Sequence, residues 1–563
     1  MSENGIFEGF VQWPDEDIAR YKREGIWEGL TLGEIMDQWV QKYRDRSAIS
    51  YRGKDITYTE MDEYATRIAY HLILSGIKTY DPVIIQLFNS PEVAYLVYAC
   101  FKIGAIPICS LPTYRRTEIE YIAKEANARV LAIPPGNYKD FDYEKFAEEI
   151  RQAAPSLKIV LTVGKPERAN NISINDIMVY SNVNLTKAKE EFKKYKPDPM
   201  MPALFQMSGG TTGVPKMIPR THNDYYYNTK CAANALDFDK KTRILIGSPM
   251  LHNLAFVNGV LPAFYKGGTV ALTPSYSPES MLQGVAENKA DTIVTVPVLM
   301  HRMLEVPDEV RAKYDLSSLK QFLWGGNRIE PEIQLKFREV YRCDTNQTYG
   351  MAEGLIMWTR PSDPLNTKLY TQGKPVSTAD DVKIVEINTR QEVSVGQVGE
   401  LICRGPYTLR GYYKSPARNI EVFTADGYYC TGDLVRKDGE GNYTVAGRIK
   451  DCISRGAEKI NAEEVETHIG AFDKVKAVAV VAMPDKVMGE RVCAFIVPKP
   501  GSIFSLEELN NFLIKERQIA KYKIPERIEF IDELPLSNVG KFEKKSLREK
   551  ITAILEKEAS STY

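Results

Sequence analysis

One stretch, Ser208-Gly209-Gly210-Thr211-Thr212-Gly213-Val214-Pro215-Lys216, limits what this chain can become more than any other. It follows Ala203-Leu204-Phe205-Gln206-Met207, a mostly apolar run that reads as the end of a buried strand. Gly209, Gly210 and Gly213 let backbone N–H groups turn inward around an anion, with the hydroxyls of Ser208, Thr211 and Thr212 beside them. Lys216 then closes the charge. Such a loop holds a polyphosphate. A surface turn rich in Gly, Ser and Thr is the plainer alternative for the glycines alone. The loop is not a Walker sequence, because Lys216 is preceded by Val214-Pro215 and followed by Met217, which disfavours an ordinary P-loop nucleoside triphosphatase.

The rest of the chain sets bounds. At 563 residues it exceeds one compact core and predicts two or more domains. A formal net charge of -1 offers no polycationic surface to nucleic acid or to acidic membranes. The eight cysteines, scattered from Cys100 to Cys493, include no C-x-x-C pair, which fits inert thiols in a reducing compartment better than a metal site or a disulfide framework. None of the five histidines sits in an H-E-x-x-H spacing. Charges from Asp15 to Glu28 leave no signal-type apolar core, and no window approaches the roughly 20 apolar residues of a membrane span. The expectation is a cytoplasmic protein without a membrane or nucleic-acid partner.

Periodicity predicts an α/β fold. A polar lead-in is followed by an amphipathic helix at Leu32–Val40, a hairpin-like segment around Tyr51–Asp55 and a helix near 59–75. Strand-like runs recur at Val83–Phe88, Arg129–Ile133, Ile159–Leu161 and Thr292–Val296, the pattern of sheets covered by helices. Between about 370 and 449, strands rich in Val, Tyr and Thr are divided by turn glycines such as Gly396, Gly399 and Gly405, which predicts a small β-barrel or distorted sheet. After Lys450-Asp451 a further α/β unit begins. The expected division is therefore 1–449, with its β-rich subdomain, and 450–563.

The string from Ser208 through Pro219-Arg220-Thr221-His222-Asn223-Asp224-Tyr225 resembles the adenylate-forming superfamily of acyl-CoA synthetases, luciferases and peptide-synthetase adenylation domains. The resemblance covers nearly the whole chain and lies nearest the stand-alone aryl-acid–AMP ligases, whose opening Trp13-Pro14 through Gly25-Ile26-Trp27 is also similar. It implies a large N-terminal domain of α/β sheets and a small mobile C-terminal domain that hinges at Lys450. It also implies displacement at the α-phosphorus of ATP by a carboxylate. That reaction needs cations and fixed donors where charge accumulates, and no proton-abstracting base, since the acid is already ionised.

The resemblance assigns residues. Ser208, Gly209, Gly210, Thr211, Thr212, Gly213 and Lys216 bind phosphate. Gly326, Asn327 and Tyr349 lie against adenine, Asp433 accepts the ribose hydroxyls from a turn, and Arg448 is a second ribose or phosphate contact. Glu353, in Tyr349-Gly350-Met351-Ala352-Glu353, helps to hold Mg²⁺, a hard cation that prefers oxygen ligands. The catalytic positions are Lys541, in Pro535-Leu536-Ser537-Asn538-Val539-Gly540-Lys541, and His252. For transfer to a thiol, Ser454-Arg455-Gly456-Ala457-Glu458-Lys459 replaces the Lys541 loop; the family usually has two glycines where this chain has Gly456-Ala457, and the added methyl narrows the passage for phosphopantetheine.

The acid-binding positions implied are Asn253, Asn258, Trp324 and Gly325. Asn253 reads the ring substituent ortho to the carboxylate. Asn258 stands where related enzymes carry serine or cysteine and offers both a donor and an acceptor. Trp324 stands where they carry valine; its indole either reshapes the pocket or turns aside into the core. The acceptor expected for the aryl group is phosphopantetheine on a carrier protein, with free coenzyme A as the alternative. A non-catalytic scaffold of the same fold is opposed by the retention of Lys541, Glu353 and Asp433, and a phosphotransferase releasing ADP is weaker still.

Overall fold

The computed structural model describes residues 7–180, 182–208, 215–326, 328–455, 458–485, 488–517, 519, 521–536 and 542–560. The chain divides into two compact units, Met1–Asp381 with Cys403–Tyr429, and Val382–Ile402 with Cys430–Tyr563.

Two large sheets carry the first unit. A nine-stranded sheet runs in the order Lys374–Pro375, Ile356–Trp358, Asp344–Gly350, Gln321–Gly325, Thr292–Thr295, Arg243–Ile246, Thr269–Leu272, Ser47–Tyr51, Lys54–Thr57. Its inner strands are parallel. Most of them are short and apolar on both sides because both faces are covered; Asp344–Gly350 is the polar exception. A seven-stranded sheet follows the order Lys216–Thr221, Pro202–Ser208, Ile106–Cys109, Pro82–Ile85, Val130–Ile133, Ile159–Thr162, Ile172–Ser173. Only its first pair is antiparallel, and there Ser208 lies opposite Lys216.

One apolar core takes side chains from both sheets, among them Val83 and Ile85 from one and Ile244, Val294 and Leu323 from the other. Helix Pro91–Ile103 belongs to it and is buried around its whole circumference, as its nearly continuous apolar sequence requires. A second core lies where helices Pro278–Asn288, Pro297–Leu304 and Pro331–Tyr341 cover the nine-stranded sheet. Each of these helices begins on a proline, which has no N–H to leave unpaired in the first turn.

The predicted helices appear as Leu32–Tyr43 and Tyr58–Leu74, both started by capping boxes, Thr31 with Glu34 and Thr57 with Glu60. The lead-in is more structured than its polarity predicts. It contains helix Asp15–Arg23, and Phe10, Trp13, Tyr21 and Trp27 form a buried cluster with Met200 and Met201.

The β-rich stretch is a four-stranded sheet of Asp381–Val385, Val398–Arg404, Tyr429–Lys437 and Tyr443–Arg448. The end of the chain builds a five-stranded sheet in which Val475–Asp485 and Gly489–Pro498 form a long antiparallel pair. Helix Ala462–Gly470 starts on Asn461, whose side chain accepts from the Glu463 N–H. No helix among the described residues is long and apolar enough to cross a membrane.

Candidate active site

Parallel strands of the nine-stranded sheet release the predicted residues from their carboxyl ends, the usual ligand side of an α/β sheet. After Arg243–Ile246 come His252 and Asn253; after Gln321–Gly325 comes Gly326; after Asp344–Gly350 come Met351, Ala352 and Glu353. In the register of the last two strands Gly325 lies opposite Thr348. A Cβ on Gly325 would stand 2.4 Å from Thr348 Cγ2 and 3.1 Å from Leu254 Cδ1, so no side chain fits there. Gly326 has a φ of 110°, which L side chains rarely adopt.

Asn253 links the segment after strand Arg243–Ile246 to the segment after strand Asp344–Gly350. Its Nδ2 donates to the Met351 carbonyl at 3.4 Å, and its Oδ1 accepts from Tyr225 Oη at 3.1 Å. Tyr225 in turn accepts from Gln206 Nε2 at 3.0 Å. Arg220 lies 4.8 Å from the Tyr225 ring centre and donates to the Ala352 carbonyl at 2.9 Å and the Tyr407 carbonyl at 3.1 Å. Its Nε donates to Asp224 Oδ1 at 2.9 Å. The other oxygen of Asp224 accepts from the N–H and hydroxyl of Thr221 and starts helix His222–Ala235. Arg220 is thus a buried brace shared by both halves of the site.

Glu353 is buried, and its Oε1 accepts from Tyr412 Oη at 2.6 Å. Tyr429 Oη lies 2.9 Å from Tyr412 Oη. Burial first, then the Glu353 charge, holds the Tyr412 hydroxyl protonated far above the ordinary tyrosine range. Lys216 Nζ sits 5.0 Å from the centre of the Tyr412 ring, and burial lowers its pKa, helped by Arg418 and opposed by Glu353. Glu353 Oε2 accepts no hydrogen bond among the described residues. No group of three or more His, Cys, Asp or Glu there could hold a metal. One carboxylate oxygen is nevertheless a fitting ligand for Mg²⁺, which takes one or two carboxylates and fills its octahedron with phosphate oxygens and water.

Asn258 lies in a π-helical turn, Phe256–Val260, a form that often marks functional positions. Its Oδ1 accepts from the Trp358 indole at 2.8 Å. An indole only donates, so this bond settles which side of the amide is engaged. Trp324 faces elsewhere. Side chains alternate along a strand, and Trp324 joins Phe322 in the helix-covered core, whereas Leu323 is on the opposite face. Its indole is buried in that core.

His252 caps the one-turn helix Asn253–Ala255, its Nδ1 accepting from the Leu254 N–H at 3.3 Å. Tyr349 is half-buried in the strand that carries Thr348.

In the second unit, Asp433 stands in a continuous strand, Tyr429–Lys437, and not in a turn. Gly432, at a φ of 72°, supplies the local bend that its sequence suggested. Arg448 lies directly opposite in the ladder, and its Nε donates to Asp433 Oδ1 at 2.9 Å. Lys450 occupies a single turn, Ile449–Asp451, where burial and then the Arg448 charge lower its pKa. Arg455 is paired with Glu526 at 2.9 Å. Gly209, Gly210, Thr211, Thr212, Gly213, Asn327, Gly456, Ala457 and Lys541 lie outside the described residues.

Sequence reasoning assigned no role to Arg220, Tyr225, Trp358 or Tyr412. Only Arg220 carries a signal: a lone charge at the end of the buried strand Lys216–Thr221, with Asp224 four residues on.

Comparison with known proteins agrees with this geometry. Residues 36–413 match the AMP-binding enzyme model, and 464–541 match the AMP-binding enzyme C-terminal domain. The chain is 38% identical to the 2,3-dihydroxybenzoate-AMP ligase of Bacillus subtilis strain 168, covering 97% of this chain and 98% of that one. It is 36% identical to a Streptomyces salicylyl-CoA synthase / salicylate adenylyltransferase, over 96% and 97% of the two chains. Among solved structures, apo MbtA of Mycobacterium smegmatis matches with a TM-score of 0.72 and 32% identity, covering 96% of this chain and 98% of that one. With its nucleotide motifs on one edge of a parallel sheet and a match across most of its length, this chain belongs to the AMP-binding enzyme family.

Proposed function

We propose that this enzyme joins an aryl carboxylic acid to AMP and then passes the aryl group to the phosphopantetheine thiol of a carrier protein. The observation that carries the reading is the Asn253–Met351 hydrogen bond, which sets the acid-reading asparagine against the motif that ends in Glu353. An acid held at Asn253 is then next to the nucleotide, as a displacement requires. The acid's carboxylate oxygen bonds to the α-phosphorus, the α–β anhydride breaks, and pyrophosphate leaves. Ser208, Lys216 and the loop between them bind the pyrophosphate portion, and Lys541 neutralises charge on the carboxylate and α-phosphate. Asp433 and Arg448 receive the ribose. Glu353 would hold Mg²⁺, which would supply charge neutralisation of the phosphates when bound.

In the second step the thiol attacks the acyl carbon and AMP leaves, with the Ser454–Lys459 segment in place of the Lys541 loop and Lys450 as the hinge. The names of the 2,3-dihydroxybenzoate and salicylate relatives support an acid with an ortho substituent. The salicylyl-CoA synthase name also supports free coenzyme A as a second acceptor. Pyrophosphate exchange with benzoates, picolinates and anthranilate is expected to show one strong responder, and silence across the panel rejects the reading. Coenzyme A consumed without a carrier protein favours the second acceptor.

A further inference from the structure

The carboxylate of Glu353 is useful as a metal ligand only if its rotation is fixed, and the last torsion of a glutamate is broad and roughly two-fold. Among the described residues a single contact fixes it, the 2.6 Å bond from Tyr412 Oη to Oε1. That bond leaves Oε2 turned to the one orientation the other oxygen permits.

Tyr412 is itself held on several sides. The donor to Glu353 must be Tyr412, since an ionised carboxylate only accepts; Tyr412 therefore receives the proton of Tyr429 Oη at 2.9 Å. Its N–H donates to Asn419 Oδ1 at 2.8 Å, and Asn419 Nδ2 donates back to its carbonyl at 3.2 Å. The segment around it is pressed onto the Glu353 turn. Leu409 N–H donates to the Glu353 carbonyl at 2.8 Å, and a Cβ on Gly354 would stand 2.4 Å from Thr408 Cα.

From the other side the N-terminal lead-in clasps the same segment. The indoles of Trp13 and Trp27 donate to the carbonyls of Gly405 and Pro406 at 3.5 and 3.1 Å. Lys414 N–H donates to the Gly9 carbonyl at 3.0 Å, and Arg410 lies 3.8 Å from Asp17.

We infer that Tyr412 is a positioning residue for the Glu353 carboxylate as a Mg²⁺ ligand, kept in place by Tyr429 and by the clasp of residues 7–31. The inference rests on the metal-binding role proposed above for Glu353. A supporting partner that orients a ligand is a general requirement of metal sites, and its loss weakens the metal before it weakens the fold.

The test is Tyr412→Phe, which keeps the ring and removes the hydroxyl. Calorimetric binding of ATP is measured with Mg²⁺ and with chelator, alongside the Mg²⁺ concentration for half-maximal pyrophosphate exchange. Both metal-dependent quantities are expected to weaken by about tenfold, the scale of one charge-assisted hydrogen bond. Binding of ATP in chelator is expected to stay unchanged. In a Glu353→Gln background the same substitution is expected to add nothing, because the bond it removes no longer orients a ligand. If Tyr412→Phe fails to fold, Tyr429→Phe, which withdraws the donor to Tyr412, is expected to shift the same two quantities by a smaller factor. Wild-type binding that ignores Mg²⁺ rejects the role of Glu353 itself. Metal-dependent wild-type binding that the tyrosine variants leave unchanged, or equal losses with and without Glu353, overturns the inference about Tyr412.

Discussion

The side chains of Arg220 and Asp224 are wholly withdrawn from solvent, whereas Arg448, bonded to Asp433 at 2.9 Å, keeps 45% of its side chain exposed. Both pairs stand inside motifs, and both look alike as letters. Arg220 spends its donors on Asp224, two backbone carbonyls and Asn228 at 3.4 Å, so it holds elements together. The open pair, in which Asp433 is buried and Arg448 half exposed, contributes less to folding than a fully buried one. Motif membership alone does not separate the two pairs; burial does.

The largest effect that could break this contrast is on stability. Arg220→Met strands Asp224 as a buried unpaired charge and is expected to cost about 3–5 kcal/mol in denaturant unfolding. A loss within about 0.5 kcal/mol, the scale of an ordinary surface change, would abolish the distinction between the pairs. On the catalytic side, Lys541→Ala is expected to lower adenylation by about 10²–10³-fold, as removal of other charge-stabilising groups does. ATP binding should change little; unimpaired exchange kinetics would remove Lys541 from the mechanism.

A pH effect sharpens the buried side. His222 accepts the Leu32 N–H at 3.0 Å, and burial drives its pKa down to about 3. A histidine held neutral in the fold but free to protonate when unfolded gives stability that is complete above about pH 6.5 and is lost as pH falls towards 3. Between pH 7.5 and 5 the loss from this group is about 2 kcal/mol, and it should disappear from the unfolding profile of His222→Asn. The smallest effect belongs to the open pair. Arg448→Met is expected to leave the unfolding midpoint in place and weaken nucleotide binding by about tenfold, one hydrogen bond to a charged group. A fall in stability without a change in binding would make Arg448 a second brace.

Much of the fold was legible because its signals are local. Apolar positions at helical spacing from Leu32 and short apolar runs such as Val83–Phe88 act within a few residues. The strand that leads into Tyr349–Glu353 was legible because one stretch of chain carries it. The site was illegible where two distant stretches meet. Tyr412 reaches Glu353 across 59 residues, and Trp358 reaches Asn258 across 100. The direction of Trp324 was open for a different reason: a parallel strand covered on both faces is apolar on both, so its sequence does not say which face is the pocket. The lead-in misled by its charges, which lie outward while Trp13 and Trp27 point in.

The interleaved make-up of the two units has a consequence for how the molecule is born. Residues 382–402 leave the ribosome before Cys403–Tyr429, yet they belong with everything after Cys430. The earlier unit can therefore finish only after a piece of the later one has already emerged and is waiting, unpartnered, for the remainder to be translated. A truncated chain that ends at residue 429 should consequently hold that waiting piece open to proteases, and the full-length chain should not.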